Sequence, residues 1–213
     1  MRFGIDIDGT VADFAGPANR WLARFLQQPL QPIDRWDWYM SYDDGQWGWD
    51  ELWRDVYGSH FMRDLDAEPY ATDGVNTLLD MGHEVVMVTA RPERLTDDTR
   101  HWLDHHGMAS VPLHMGVDFK HEVECDVYFD DAQHHVDNLR DHHKTAVLNI
   151  QPWNVKDSFD KVRFPLVAYG WQDFLRWVEE DECRGEPSEH LHAPRHTGRV
   201  TLRSSPPSGM GRG

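Results

Sequence analysis

Cysteine is scarce in this chain: Cys125 and Cys183 are the only two among 213 residues. Two cysteines cannot make a disulfide framework, so the expected home is a reducing one, the cytoplasm. Long apolar runs are missing too. No stretch approaches the roughly 18 apolar residues of a membrane-spanning helix. The N-terminus runs straight into strand-like sequence without the pattern of a secretory leader. Basic residues are few, with 21 Lys and Arg against 37 Asp and Glu, a net charge of −16. That balance argues against broad nucleic-acid binding. No internal repeat is present. The length suits one generous domain, or one domain with an insertion, and is enough to bury a sizeable core.

What is present begins at "FGIDIDGTVADF", residues 3–14. Asp6 and Asp8 close an apolar run, with Ile7 between them. A buried strand does not carry two carboxylates unless something binds them. A simple strand-to-turn junction is one reading, since Asp and Gly are turn residues. A calcium loop of the EF-hand type is excluded by spacing. It needs Gly at its sixth position and Glu at its twelfth, whereas Gly9 is fourth and Pro17 twelfth.

The rest of the chain alternates. "DGVNTLLDMG" (73–82) has helical spacing and stops at Gly82, and "HEVVMVTA" (83–90) reads as a buried strand. "PERLTDDTRHWLDHHG" (92–107) predicts a helix with Pro92 in its first position and Gly107 at its end. "VPLHM" (111–115) is a short strand, "CDVYFDD" (125–131) a strand ending in carboxylates, and 132–143 a helix. "KTAVLNI" (144–150) is a further strand, and residues 164–180 hold a last strand and helix. Such alternation predicts an α/β fold, a Rossmann-like parallel sheet with helices on both faces.

Two segments break the rhythm. Residues 15–72 lack strand alternation and hold Trp36, Trp38, Trp47, Trp49 and Trp53, which predicts a mostly helical insertion after the first strand. The core would then comprise 1–14 and 73–180. Residues 181–213 are rich in Gly, Pro, Ser and charge, with only Arg as charged residues beyond Glu189. They carry too little apolar surface to offset an ordering cost of roughly 1–2 kcal/mol per residue, so a disordered tail is expected.

In a parallel α/β sheet, ligands sit at the carboxyl ends of the strands. Asp6 and Asp8, Thr89, and Asp130 with Asp131 all fall at such ends. If those strands are neighbours, four carboxylates and a hydroxyl converge. Two carboxylates about 4 Å apart repel by roughly 4 kcal/mol at an effective dielectric near 20. A cation relieves that repulsion, and an all-oxygen ligand set completed by water and phosphate suits Mg²⁺. Lys120, ten residues before Asp130, can add positive charge from the preceding loop.

The order Asp-x-Asp-Gly-Thr, hydrophobic strand ending in Thr, Lys, then Asp-Asp resembles the haloacid dehalogenase superfamily of phosphohydrolases. Its four motifs correspond to "DIDGT" (6–10), "VTAR" (88–91), Lys120 and "FDD" (129–131). The likeness spans residues 1 to about 180, and the insertion falls where that superfamily places a helical cap. A closer resemblance is to the 5′(3′)-deoxyribonucleotidase family, on "DIDGTVADF", "FMRDLDAEPYATDGVNTLL" (61–79), "KHEVECDVYFDD" (120–131) and "QPWN" (151–154). The chain departs from many animal members at Thr10, where they carry Val, and at Arg91; neither departure touches the implied catalytic groups.

The resemblance implies a Mg²⁺-dependent phosphomonoesterase acting on (deoxy)nucleoside monophosphates, a small-molecule partner. Asp6 would attack phosphorus to form an aspartyl-phosphate, and Asp8 would serve as general acid and then base. Thr89 and Lys120 would hold the phosphoryl group, with Arg91 also at the phosphate. Asp6, the backbone carbonyl of Asp8, and Asp130 would hold Mg²⁺, with Asp131 beside them or just behind. Phe14 is the candidate contact to the nucleobase. Fourteen histidines invite a zinc site, but His101 and His105 lack the intervening Glu of a zincin. They are read as surface residues, as are His134, His135, His142 and His143. Cys125 is read as a small buried apolar group, and Asp126 carries no assigned chemistry. The alternatives are a phosphatase of another small phosphomonoester or of nucleic-acid ends, and, in a different class, a non-catalytic nucleotide-binding protein. No membrane or stable nucleic-acid partner is expected, and a homodimer is left open.

Overall fold

A computed structural model describes residues 1–156, 160 and 163–184. Its centre is a six-stranded, wholly parallel sheet. The strands are β1 (Arg2–Ile5), β2 (Glu84–Val88), β3 (Leu113–His114), β4 (Val127–Asp130), β5 (Thr145–Asn149) and β6 (Val167–Ala168), in the order β3-β2-β1-β4-β5-β6. β1 is central, with Ile5 level with Met87 of β2 and with Phe129 of β4. The order reverses between β1 and β4, the position at which a doubly wound sheet opens its ligand crevice.

The helices are α1 (Ala15–Phe25), α2 (Gly45–Gly58), α3 (Ala71–Asp80), α4 (Thr96–His105), α5 (Gln133–Asp141) and α6 (Trp171–Arg184). One sheet face packs Phe3, Ile5, Met87 and Phe129 with Val75, Trp102 and Phe174 from α3, α4 and α6. The other packs Val86, Val88, Tyr128 and Leu148 with Val136 and Leu139 from α5. Both faces are therefore covered, which is why these strands read as continuous apolar runs. Gly74 of α3 has no room for a side chain, because a Cβ there would come within 2.2 Å of the Trp171 ring. Trp171 in turn donates its Nε1–H to the carbonyl of Thr10 at 2.7 Å, tying α6 to the loop after β1.

The stretch 15–72 contains α1, α2 and two 3₁₀ turns, Trp38–Ser41 and Phe61–Arg63, and no strand. The chain leaves and re-enters side by side. Ala12 and Ala67 form an antiparallel bridge, and Glu68 N–H donates to the carbonyl of Val11 at 2.8 Å. α1 and α2 pack closely at Gly48, where a Cβ would meet Leu22 at 2.9 Å.

Three expected boundaries shift. α3 begins at Ala71, not 73. Pro92 does not start a helix: its ψ of 140° is extended, a 3₁₀ turn follows at Glu93–Leu95, and α4 begins at Thr96. A proline also disfavours helical backbone in the residue before it, here Arg91. α6 runs through Arg184, four residues into the segment read as tail, and the rest of that segment, 185–213, lies outside the described residues.

Candidate active site

The carboxylate-bearing edge is built where β1 runs out. Asp6 N–H still donates to the carbonyl of Phe129 at 3.0 Å, so Asp6 continues beside β4. Beyond it the chain turns, and the carbonyl of Ile7 accepts from Val11 and Ala12, each at 2.8 Å. Gly9 makes the turn at φ +75°. A Cβ on Gly9 would lie 2.6 Å from Asp131 Oδ2 and 2.8 Å from Trp153, so glycine is needed for conformation and for clearance. The Gly9 carbonyl accepts from Asn149 Nδ2 at 3.0 Å and Gln151 Nε2 at 2.8 Å, which pins the loop to the end of β5.

Asp6, Asp130 and Asp131 are all buried, with one oxygen of each lying within 4.8 Å of the others. Lys120, also buried, comes from the 3₁₀ turn Lys120–Glu122 ahead of β4. Its Nζ reaches Asp6 Oδ1 at 2.6 Å and Asp130 Oδ2 at 2.5 Å. One lysine cannot balance three carboxylates. Burial pushes the Asp6 carboxyl up to about 6 despite Lys120. Burial, then Asp6 and Asp130, hold Asp131 well above the usual carboxylate range. For Asp130 burial works upward as well, but Lys120 and His135 outweigh it and keep this carboxyl below its ordinary value. Burial alone would lower Lys120, and its two carboxylate partners reverse that. A divalent cation brought to two carboxyls whose proton affinity burial has raised would favour their ionised forms. Hard oxygen donors of this kind fit Mg²⁺ or a similar ion.

The second carboxylate of the motif stands apart from this cluster. Asp8 is held by Arg91, with Nη2 to Oδ1 at 2.6 Å and Nε to Oδ2 at 2.9 Å. Arg91, expected at the phosphate, lines the cavity and places its guanidinium on Asp8. Thr89 is buried at the end of β2, and its Oγ1 accepts the Arg91 backbone N–H at 3.1 Å.

A cavity of about 420 Å³ opens over these groups. Asp6, Asp8, Thr89, Arg91 and Asp131 line its floor, and Phe14, Trp36, Trp38, Tyr39, Trp49 and Trp53 line the wall from the 15–72 side. Trp49 and Trp53 sit one turn apart on α2, so one helical stripe faces the cavity. Tyr39 stacks on Trp49 at 4.4 Å, and Phe14 on Trp53 at 5.6 Å. Trp47 is not part of the wall: it lies against Phe25 and is half exposed.

Two residues escaped the sequence reading. Trp153 lines the cavity and donates Nε1–H to Asp131 Oδ2 at 2.9 Å. His135, expected on the surface, lines the cavity with Nδ1 3.3 Å from Asp130 Oδ2, because the first turn of α5 starts directly behind Asp131. His134 is exposed as expected, but at the rim, edge-on to Trp36 at 5.3 Å. His101, His105, His142 and His143 are exposed, and Cys125 is buried.

A parallel sheet with this strand order, bearing an Asp-x-Asp turn on its central strand and an Asp-Asp pair on the neighbour, defines a haloacid dehalogenase-type phosphohydrolase. Solved structures agree on the fold. A haloacid dehalogenase-like hydrolase from Streptococcus pneumoniae superposes with a TM-score of 0.60 over 83% of this chain and 97% of its own, at 10% identity. The chain belongs to the family described as "5' nucleotidase, deoxy (Pyrimidine), cytosolic type C protein", whose model matches residues 1–176. It is similar to a "Putative nucleotidase" of Oceanobacillus iheyensis, 24% identical over 83% of this chain and 98% of that one. It is also similar to a "Putative 5'(3')-deoxyribonucleotidase" of Chlorobaculum tepidum, 28% identical over 64% of this chain and 72% of that one. The protein is accordingly a phosphoric monoester hydrolase.

Proposed function

We propose that this hydrolase dephosphorylates (deoxy)nucleoside monophosphates with Mg²⁺, through an aspartyl-phosphate on Asp6. The observation that carries the reading is the buried Asp6, Asp130 and Asp131 cluster opening into an aromatic-walled cavity. Phosphate chemistry has its charges on the floor, and a flat base has its stacking partners on the wall.

Asp6 attacks phosphorus, and the ester oxygen leaves. Asp8, at the edge of the cavity, gives that oxygen its proton and then takes one from the water that cleaves the acyl phosphate. Lys120 and the Thr89 hydroxyl hold the phosphoryl oxygens, so the group is oriented before attack. Asp6, the Asp8 carbonyl and Asp130, with Asp131 alongside, would hold Mg²⁺, which supplies the positive charge the cluster lacks. Residues 15–72 act as a lid on the core formed by 1–14 and 73–180, excluding water from the reacting groups. Phe14 and the tryptophans receive the base. The cytoplasm is the compartment in which such a substrate is met.

Phosphate release from a panel of monophosphates, with EDTA and Mg²⁺ added back, tests this. Release that stops with EDTA and returns with Mg²⁺ is the expected result. Full turnover in metal-free buffer contradicts the scheme.

A further inference from the structure

We propose that Arg91 is a positioning residue for Asp8, not a ligand of the substrate phosphate; this rests on Asp8 being the acid and base of the phosphatase reaction. All three guanidinium nitrogens of Arg91 are committed. Nε and Nη2 grip the two oxygens of Asp8 at 2.9 and 2.6 Å, and Nη1 donates to Thr99 Oγ1 at 3.2 Å. The side chain is 1% exposed, while that of Asp8 is 28% exposed and looks into the cavity. Three of its five N–H groups are taken and the side chain is buried, so little of the guanidinium is left to offer a phosphate.

Its own placement is fixed from three sides. The Arg91 N–H is held by Thr89 Oγ1 at 3.1 Å, and its carbonyl accepts Gly116 N–H at 2.8 Å. Thr99, fully buried on α4, fixes the outer end of the fork. Asp8 itself follows β1 on a turn, where a short carboxylate has several rotamers to choose from. A bidentate fork selects one of them and holds the carboxylate where it lines the cavity. Proton transfer needs that aim at both halves of the reaction, and a misplacement of about 1 Å can cost on the order of 100-fold in rate.

The two roles separate kinetically. As a positioning residue, Arg91→Ala should lower kcat by about 10- to 100-fold with KM within about threefold, the signature of an interaction that acts in the transition state. Arg91→Lys should restore little, since an ammonium cannot reproduce the fork. Thr99→Val, which removes one hydroxyl behind the fork, should give a smaller fall in kcat of the same kind. A second readout needs no turnover: calorimetric titration of inorganic phosphate in Mg²⁺ buffer. Phosphate should bind Arg91→Ala and Thr99→Val within about threefold of wild type, since neither loses a phosphate contact. Phosphate affinity falling about tenfold or more in Arg91→Ala or Arg91→Lys, or kcat unchanged in those variants, overturns the proposal. A wild type that binds phosphate but releases none from any monophosphate would refute the nucleotidase reading instead, and the titration would still separate the two roles of Arg91. Should Arg91→Ala not fold, Arg91→Lys and Thr99→Val carry both measurements.

Discussion

Asp6 and Asp8 sit two residues apart and live in different electrostatic surroundings. Asp6 shares Lys120 with Asp130 in a buried cluster, whereas Asp8 answers to Arg91 at the cavity edge. Their variants should therefore fail differently. Asp6→Asn should release no phosphate and trap no covalent phosphate, because an amide cannot attack phosphorus. Asp8→Asn should still bind substrate while turning over at least about 100-fold more slowly, the usual scale of acid–base catalysis. Steady-state kinetics with an acid-quench assay for phosphoenzyme checks both, and near-normal turnover in either variant refutes its role. The carboxylates were legible in sequence because charge at the end of an apolar strand is costly unless it is used. Trp153 was not, because its hydrogen bond to Asp131 spans 22 residues and nothing in "QPWN" shows which way the indole points. His135 was missed because its neighbour His134 is exposed, and one helix residue's facing depends on what lies beneath it. Phe14 packs edge-on to Trp49 and Phe61 as well as on Trp53, so it can be wall or filler. Comparing a nucleotide with a small alkyl phosphate on Phe14→Ala decides this: a base contact slows only the nucleotide, and equal losses mean packing alone.

At the level of elements, the sheet was readable because parallel strands buried on both faces are bare apolar runs. The wall was only half readable. Helical spacing groups Trp49 with Trp53, but which side of α2 meets the core depends on Gly45, Gly48, Leu52 and Val56 packing beneath. The start of α4 was misplaced because Pro92 is as compatible with an extended residue as with a first helical turn. Close packing gives a stability prediction. Gly74→Ala thrusts a methyl into the Trp171 ring and should cost about 1–3 kcal/mol, the usual range for overpacking, read as a lower Tm. An unchanged Tm would mean that α3 and α6 can part freely. The paired segments joining 15–72 to the core carry a second. Burial, then the nearby Asp13 carboxylate, push Glu68 up to about 7, from 4.5 in the unfolded chain. A raised carboxyl favours the folded state while protonated. Its contribution is thus whole below 4.5 and is lost as pH climbs through 7. Glu68→Gln should remove that loss, at most about 3 kcal/mol, so that the variant's Tm exceeds wild type at pH 8 and matches it at pH 4. Parallel Tm profiles for the two proteins would contradict the assignment.

The whole molecule combines an acidic surface, a charged floor and an aromatic wall. The net charge of −16 disfavours long nucleic acid, yet a monophosphate needs only local positive charge, which Lys120 and a metal ion held by the carboxylates would give on the proposed scheme. Among the described residues no helix is long and apolar enough to cross a membrane. A wall rich in tryptophan suits a base more than a sugar, with stacking worth roughly 1–3 kcal/mol per base. Substrate choice therefore tests the account more directly than any single variant. The measurement is kcat/KM for deoxynucleoside monophosphates against ribose 5-phosphate, on the same wild-type preparation in Mg²⁺ buffer. Nucleotides ahead by roughly 10- to 100-fold, the range that stacking energy supplies, is the predicted result. Equal values, or a preference for the sugar phosphate, would contradict it.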